Sequence, residues 1–120
     1  MSEANVERAR SGFAAALRGD FEALEELLDP HVRWHGGDPE ADGACHDRGE
    51  ALTFMRRALG NGWRGELVDV LDAGERVVVL LRPADDPEAV RANLTTFRDG
   101  KVVEMVAYPE PRDAMAAAGL

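Results

Sequence analysis

The chain has little that could crosslink it or anchor it in a membrane. Among its 120 residues are one cysteine, one lysine and one tyrosine, and isoleucine and glutamine are absent. The single cysteine, Cys45, excludes an intrachain disulfide and a zinc site built on cysteines. No apolar run approaches the roughly 20 residues of a membrane-spanning helix, and the first ten residues lack the apolar stretch of a signal peptide. These absences predict a soluble, cytoplasmic protein.

Positive charge is also scarce. The chain has 23 acidic and 14 basic residues, which gives a formal net charge of −9. Nucleic acids and anionic membrane surfaces both attract proteins through clustered lysine and arginine. We therefore expect neither nucleic acid nor a membrane among the partners.

The length and composition are those of one globular domain. Hydrophobic residues make up 45% of the chain and charged residues 31%, which is too apolar for a disordered protein. Two cores in a chain this short would each be too small to be stable. The sequence predicts a single domain over residues 1–120.

Three helices are predicted before residue 60. Apolar residues at helical spacing indicate a helix over residues 5–18, and Asp20 can cap a second, shorter helix that Pro30 closes. Asp47 and Glu50 have the spacing of a capping box, which predicts a third helix to about Leu59.

The rest of the chain is predicted to be mostly strands. Residues 31–35 form the first, residues 36–46 are a loop, and four more strands follow the third helix, over residues 63–71, 76–82, 89–98 and 101–108. Asp99-Gly100 predicts a tight hairpin between the last two, and residues 113–118 a last helical turn. Helices covering one face of a curved, mixed or antiparallel sheet give an α+β fold with a cone-shaped cavity.

Two motifs suggest a cofactor or a metal, but their context does not fit. Residues 60–65 match GxGxxG, yet they follow a helix and precede a strand, which reverses the order of a dinucleotide site. Residues 38–43 resemble the start of a calcium loop, but the twelfth position is Gly49 instead of glutamate. His31 and His35 lie about 13 Å apart on a strand, too far for one ion. We expect no cofactor and no metal site.

One predicted strand carries an unusually polar face. Alternation puts Arg91, Asn93, Thr95 and Phe97 on the same side. These residues either form the polar wall of a pocket or extend to solvent at the rim of the sheet. Trp34 and Trp63 present a similar choice between filling the core and lining a pocket.

The order of these elements, together with several short runs, resembles the nuclear transport factor 2-like superfamily. The closest pattern is that of SnoaL-like proteins, which are related to polyketide cyclases and ketosteroid isomerases. The runs are Arg18-Gly19-Asp20-Phe21, Leu27-Leu28-Asp29-Pro30, Val32-Arg33-Trp34-His35, Arg48-Gly49-Glu50-Ala51 and the hairpin at residues 96–103. The resemblance implies a cone-shaped, cystatin-like α+β barrel with a pocket between sheet and helices, and frequent homodimers packed sheet to sheet.

The residues that the resemblance implies for an isomerase are not present at the corresponding positions of this chain. Where those enzymes have a tyrosine and two aspartates, this chain has Gly12 or Phe13, His35 and Thr95, and the acidic residue of the cyclases falls near Ala107. Histidine is the residue type that most often serves as a general base at neutral pH, so His35 is the candidate general base if the protein catalyses a reaction.

We therefore predict that the protein binds a small lipophilic molecule in a largely apolar pocket, with isomerase, cyclase or hydrolase chemistry as one possibility. The alternative is a non-catalytic dimeric binding or scaffold protein that keeps the fold without the chemistry. Besides His35, the residues expected to line the pocket are Trp34, Met55, Trp63, Arg91, Asn93, Thr95, Phe97, Met105 and Tyr108.

A homodimer through the sheet face is a separate prediction. It rests on the expectation that the helices do not cover all of the apolar side chains of two neighbouring strands, which are Val68, Val70, Val77, Val79 and Leu81. Those left uncovered would need a partner.

Overall fold

The computed structural model describes residues 3–120 and shows an α+β fold with the predicted element order. Its helices are α1 (Glu3–Arg18), α2 (Phe21–Leu27), α3 (Arg48–Gly60) and α4 (Pro111–Ala117). Its strands are β1 (Leu28–His35), β2 (Gly65–Ala73), β3 (Arg76–Pro83), β4 (Arg91–Arg98) and β5 (Lys101–Tyr108). None of the helices in residues 3–120 is long and apolar enough to span a membrane.

The five strands form one curved, unclosed sheet in the order β1-β5-β4-β3-β2. Strands β2 to β5 pair antiparallel with their sequence neighbours, whereas β1 pairs parallel with β5. The sheet is therefore mixed. The parallel pair joins strands that are distant in the sequence, with α3 and the other three strands between them.

Two predicted caps begin α2 and α3. The Asp20 side chain accepts a hydrogen bond from the Ala23 N–H at 3.2 Å, and the Asp47 side chain accepts one from the Glu50 N–H at 2.9 Å. The Glu50 carboxylate reaches back one residue further than a standard capping box, to the His46 N–H at 2.9 Å.

Several strand boundaries differ from the prediction by one to three residues, most of all at the start of β1 and at both ends of β2. β1 begins at Leu28 and runs through Pro30, which we expected to precede the strand. Because β1 is an edge strand, a residue without an N–H is tolerated there. At the opposite edge, β2 begins at Gly65, so Trp63 lies in the turn before the strand.

The sheet has an inner face, covered by α1, α2 and α3, and an outer face, covered by α4. On the inner face, Val70, Val77, Val79, Phe97 and Met105 pack with buried residues of the three helices. The outer face has a second cluster around four sheet residues and two from the C-terminal segment, namely Val78, Ala92, Leu94, Val106, Ala114 and Ala118.

Most of the apolar side chains expected to drive a sheet-face homodimer are covered within the chain, and the homodimer itself stays a prediction. Val70, Val77 and Val79 all face the helices and are at most 8% exposed. Val68 lies at a register shift of β2 and is exposed. The apolar residues of the outer face are instead covered within the chain, because the predicted last helical turn is a two-turn helix that packs on them.

Candidate functional site

Most of the predicted pocket residues share the inner face. The register pairs Asn93 with Val79 and Ala107, and pairs Thr95 with Val77 and Met105. Trp34 pairs with Met105 from the other side. The predicted alternation in β4 therefore agrees with the register of the sheet.

The deeper residues of this face belong to the packed core. Thr95, Phe97 and Met105 are 5%, 4% and 8% exposed. The Thr95 hydroxyl donates a hydrogen bond to Asn93 Oδ1 at 2.8 Å, which satisfies it without a ligand. These three side chains are closed off from solvent. The exposed part of the inner face lies nearer Ala107 and Arg91.

The side chains of His35 and Tyr108 belong to the outer face of the sheet, unlike those of the other predicted strand residues of the pocket. His35 pairs with Val106, and Tyr108 packs against the outer-face cluster. Trp34 and His35 are adjacent in a strand, so their side chains point to opposite faces. Both residues nevertheless line the depression beside the end of β1 that is described below.

Both ring nitrogens of His35 are engaged in hydrogen bonds within the protein. Nδ1 accepts from the Gly37 N–H at 3.0 Å, which requires an unprotonated Nδ1. Nε2 then carries the proton and donates to Glu104 Oε2 at 3.0 Å. Glu104 also lies 3.7 Å from the Arg33 guanidinium. This arrangement holds a neutral imidazole whose only lone pair is occupied, and it fixes the start of the loop after β1.

Met55 and Trp63 lie on different parts of the molecule. Met55 is half-buried and packs against the inner-face core. Trp63 is 37% exposed, and its ring covers Gly65, where an added Cβ would lie 2.9 Å from Trp63 Cη2. Trp63 therefore covers the β2 edge, while Trp34 lies in β1 at the opposite edge of the sheet.

A depression of about 260 Å³ opens beside β1. Of the predicted pocket residues, only Trp34 and His35 line it. The rest of the lining is Phe54 of α3, Ala107 of β5, and Gly36, Asp38 and residues 41–45 of the loop between β1 and α3. We call it the aromatic depression, because the Trp34 and Phe54 rings meet edge to face, with centroids 4.9 Å apart and planes at 77°. Phe54 is 48% exposed, so an apolar ring stands at the opening.

The loop wall is tied to β1 by a two-bond bridge. The Trp34 N–H donates to the Cys45 carbonyl at 2.9 Å, and the Cys45 N–H donates to the Trp34 carbonyl at 2.7 Å. The same loop is held at its start by the bond from Gly37 to His35. Both ends of the wall are therefore fixed to the strand that carries Trp34.

Cys45 lies in this wall as a buried thiol. Burial raises its pKa above the usual value of 9.0, and the negative charges of Glu50 and Asp47 raise it further. The protonated form dominates at neutral pH. Cys45 therefore contributes a weakly polar surface to the depression instead of a reactive thiolate.

A second depression, of about 240 Å³, lies at the opposite end of β4 and β5. It is polar, and its lining includes Asn5, Glu75, Arg98 and Asp99. Within residues 3–120, no group of three or more histidine, cysteine, aspartate or glutamate side chains is placed to hold a metal ion.

Sequence reasoning missed Phe54 and the loop residues of the aromatic depression. Phe54 lies one position from the inward-facing Met55, and helical periodicity places it on the solvent side. The one available signal was a large aromatic residue on that exposed side. The loop has no periodicity, so only the structure shows that residues 41–45 fold back on β1.

Solved structures share this fold. The chain is similar to Bal32a from a soil-derived mobile gene cassette, with 26% identity, 88% of each chain covered and a TM-score of 0.77. It is also similar to a nuclear transport factor 2-like protein of unknown function from Mesorhizobium loti, with 27% identity, 89% of this chain and 91% of that chain covered, and a TM-score of 0.73.

A third similar structure, from Kribbella flavida, carries a provisional assignment as a ketosteroid isomerase. It is 21% identical, covers 91% of this chain and 80% of its own, and has a TM-score of 0.76. At that identity it supports the fold alone. No curated protein matches the chain.

The architecture is that of the nuclear transport factor 2-like superfamily. The family model of the SnoaL-like domain matches residues 9–105, and the chain belongs to that family. Membership does not specify an activity, because function depends on the residues of the site.

Proposed function

We propose that the protein binds a small, largely apolar molecule in the aromatic depression. The observation that carries the proposal is the edge-to-face pair of Trp34 and Phe54 at an opening in an otherwise packed inner face. Aromatic side chains provide large contact areas and favour apolar or ring-shaped partners. Family membership agrees with a ligand-binding role.

The volume limits the size of the ligand. At about 260 Å³, the depression is slightly smaller than the roughly 300–1,000 Å³ of typical drug-sized sites. An apolar cavity of about 150 Å³ is enough to hold benzene. A single ring with a short substituent therefore fits best.

Acid–base catalysis by His35 remains a separate prediction, and the hydrogen bonds favour a positioning role for this residue. A general base needs an available lone pair within hydrogen-bond reach of the substrate proton. The Nδ1 lone pair accepts from Gly37, and the Nε2 proton is donated to Glu104. We therefore propose that His35 holds the loop wall in place.

The alternative, a non-catalytic dimeric scaffold, is favoured by the packed inner core around Thr95, Phe97 and Met105. A scaffold of this kind needs no ligand, and its oligomeric state is a separate question. Sedimentation at micromolar concentration tests the dimer directly. A stable 13.0 kDa species would contradict the dimer and leave ligand binding untouched.

Tryptophan fluorescence tests the binding proposal. Trp63→Phe leaves Trp34 as the only tryptophan, so any saturable change on adding one-ring compounds reports on the aromatic depression. We expect Phe54→Ala in this background to weaken binding about tenfold, because it removes half of the aromatic pair.

Val68→Ala is the matched control, because it removes an exposed apolar side chain from β2, at the opposite edge of the sheet from β1. It should leave the affinity unchanged. The proposal fails if no one-ring compound changes Trp34 fluorescence saturably at millimolar concentration.

A further inference from the structure

The carboxylates that line the aromatic depression are not matched by any basic side chain in the same lining. The carboxylates that line it belong to Asp38 and Asp42, and no lysine or arginine lines it. The loop sequence extends this pattern, since residues 36–47 contain four acidic side chains and no lysine or arginine. The remaining ionisable groups of the lining are the engaged imidazole of His35 and the protonated thiol of Cys45.

We propose that the ligand of the aromatic depression is a small organic cation, an amine carried on one apolar ring. This inference rests on the proposed function and adds the charge of the ligand to it. The ring occupies the space beside Trp34 and Phe54, and the ammonium group faces the carboxylates of the loop.

The aromatic wall favours a cation as well as a ring. An ammonium group close to the face of a tryptophan is attracted by the negative charge density of the ring. Trp34 and Phe54 therefore contribute to binding either part of an amine. A carboxylate in the same position would be repelled by both the rings and the loop.

Asp38 is held in place without losing its capacity to bind an amine. One of its oxygens accepts a hydrogen bond from the Glu40 N–H at 2.9 Å. Its backbone carbonyl accepts from the Ala41 N–H at 3.1 Å, which closes a turn of the loop. An ionised carboxylate has about four acceptor positions, so the Glu40 bond leaves others for a ligand.

The expected preference is moderate, because Asp38 and Asp42 are both exposed. An exposed ion pair contributes a modest free energy, and so does a cation–π contact. Together they correspond to about a five- to tenfold tighter affinity for the amine than for a neutral molecule of the same shape. Salt should reduce this preference.

The test compares benzylamine, benzyl alcohol and benzoate, which share a ring and differ in charge. In the Trp63→Phe background, we expect benzylamine to bind most tightly and benzoate least tightly. The double variant Asp38→Asn/Asp42→Asn should lower the affinity for benzylamine towards that of benzyl alcohol, leaving only the preference that the aromatic rings contribute, and leave benzyl alcohol unchanged.

A charge-matched control removes two carboxylates at the opposite end of the sheet, Glu75→Gln and Asp99→Asn, both from the polar depression. It should keep the preference for the amine. Equal affinities for benzylamine and benzyl alcohol, or a preference that Asp38→Asn/Asp42→Asn leaves undiminished, would overturn the inference while the proposed function stands. If none of the three compounds binds, both fail.

Discussion

Trp34 and His35 are consecutive residues of β1, and they belong to opposite faces of the sheet. Trp34 faces the helices and forms a wall of the aromatic depression. His35 faces outward and is held between Gly37 and Glu104. The difference shows that neighbouring residues of one strand can have different surroundings, because each step along a strand changes the face.

The two faces are also closed in different ways. Three helices pack on the inner face and leave an opening at one edge, whereas one short helix, α4, covers the apolar centre of the outer face. Ligand binding is proposed for the inner face, whereas the stability of the fold depends on both faces. Substitutions on each face test this division.

Leu94→Ala tests whether α4 covers the outer face. Leu94 is 5% exposed in the cluster with Ala114 and Ala118. Removing a buried leucine side chain costs about 2–5 kcal/mol of unfolding free energy, measurable by urea denaturation. An effect below about 1 kcal/mol would mean that Leu94 is exposed and that α4 does not pack there.

His35→Ala tests the positioning role. We expect a loss of about 1–3 kcal/mol in unfolding free energy, because Gly37 and Glu104 both lose a hydrogen-bond partner. The loop should loosen as well, so that Cys45 reacts faster with iodoacetamide than in the unmodified protein. This second readout would not change if His35 acted only as a base.

Arg33→Ala is the control for His35→Ala, because Arg33 contacts the same carboxylate from an exposed position. We expect it to cost less than about 1 kcal/mol and to leave the reactivity of Cys45 unchanged. If Cys45 in His35→Ala reacts with iodoacetamide no faster than in the unmodified protein, the positioning role is wrong.

Cys45 gives a pH dependence of small size. Its pKa is raised in the folded chain, so the unfolded chain releases this proton at a lower pH than the folded chain does. Its contribution to stability is complete below the usual pKa of about 9 and is lost as the pH rises through that value and above. Denaturation between pH 8 and pH 10 should show this loss, and Cys45→Ala should reduce it. An identical slope in both proteins would contradict the assignment.

The fold could be predicted from the sequence further than the site could. Helical and alternating periods, the caps at Asp20 and Asp47 and the turn at Asp99-Gly100 all report local structure, and the structure agrees with them. The parallel pairing of β1 with β5 joins residues about 70 positions apart, and no local pattern reports it. The packing of α4 is long-range in the same way.

The site depended on which face each strand presents to the helices. Alternation correctly grouped Asn93, Thr95 and Phe97, but it does not say whether Trp34 or His35 faces inward. Only the pairing of Trp34 with Met105 settles that question. Alternation also does not say which face Tyr108 is on. We expected Tyr108 at the pocket, and it lies on the outer face.

A crystal structure of the chain with benzylamine would test the central claim most directly, because it shows which face binds the ligand. The account predicts density for the ligand ring beside Trp34 and Phe54, with the amine directed towards the loop that carries Asp38 and Asp42. An empty aromatic depression, or a ligand bound only in the polar depression lined by Asn5 and Glu75, would contradict it.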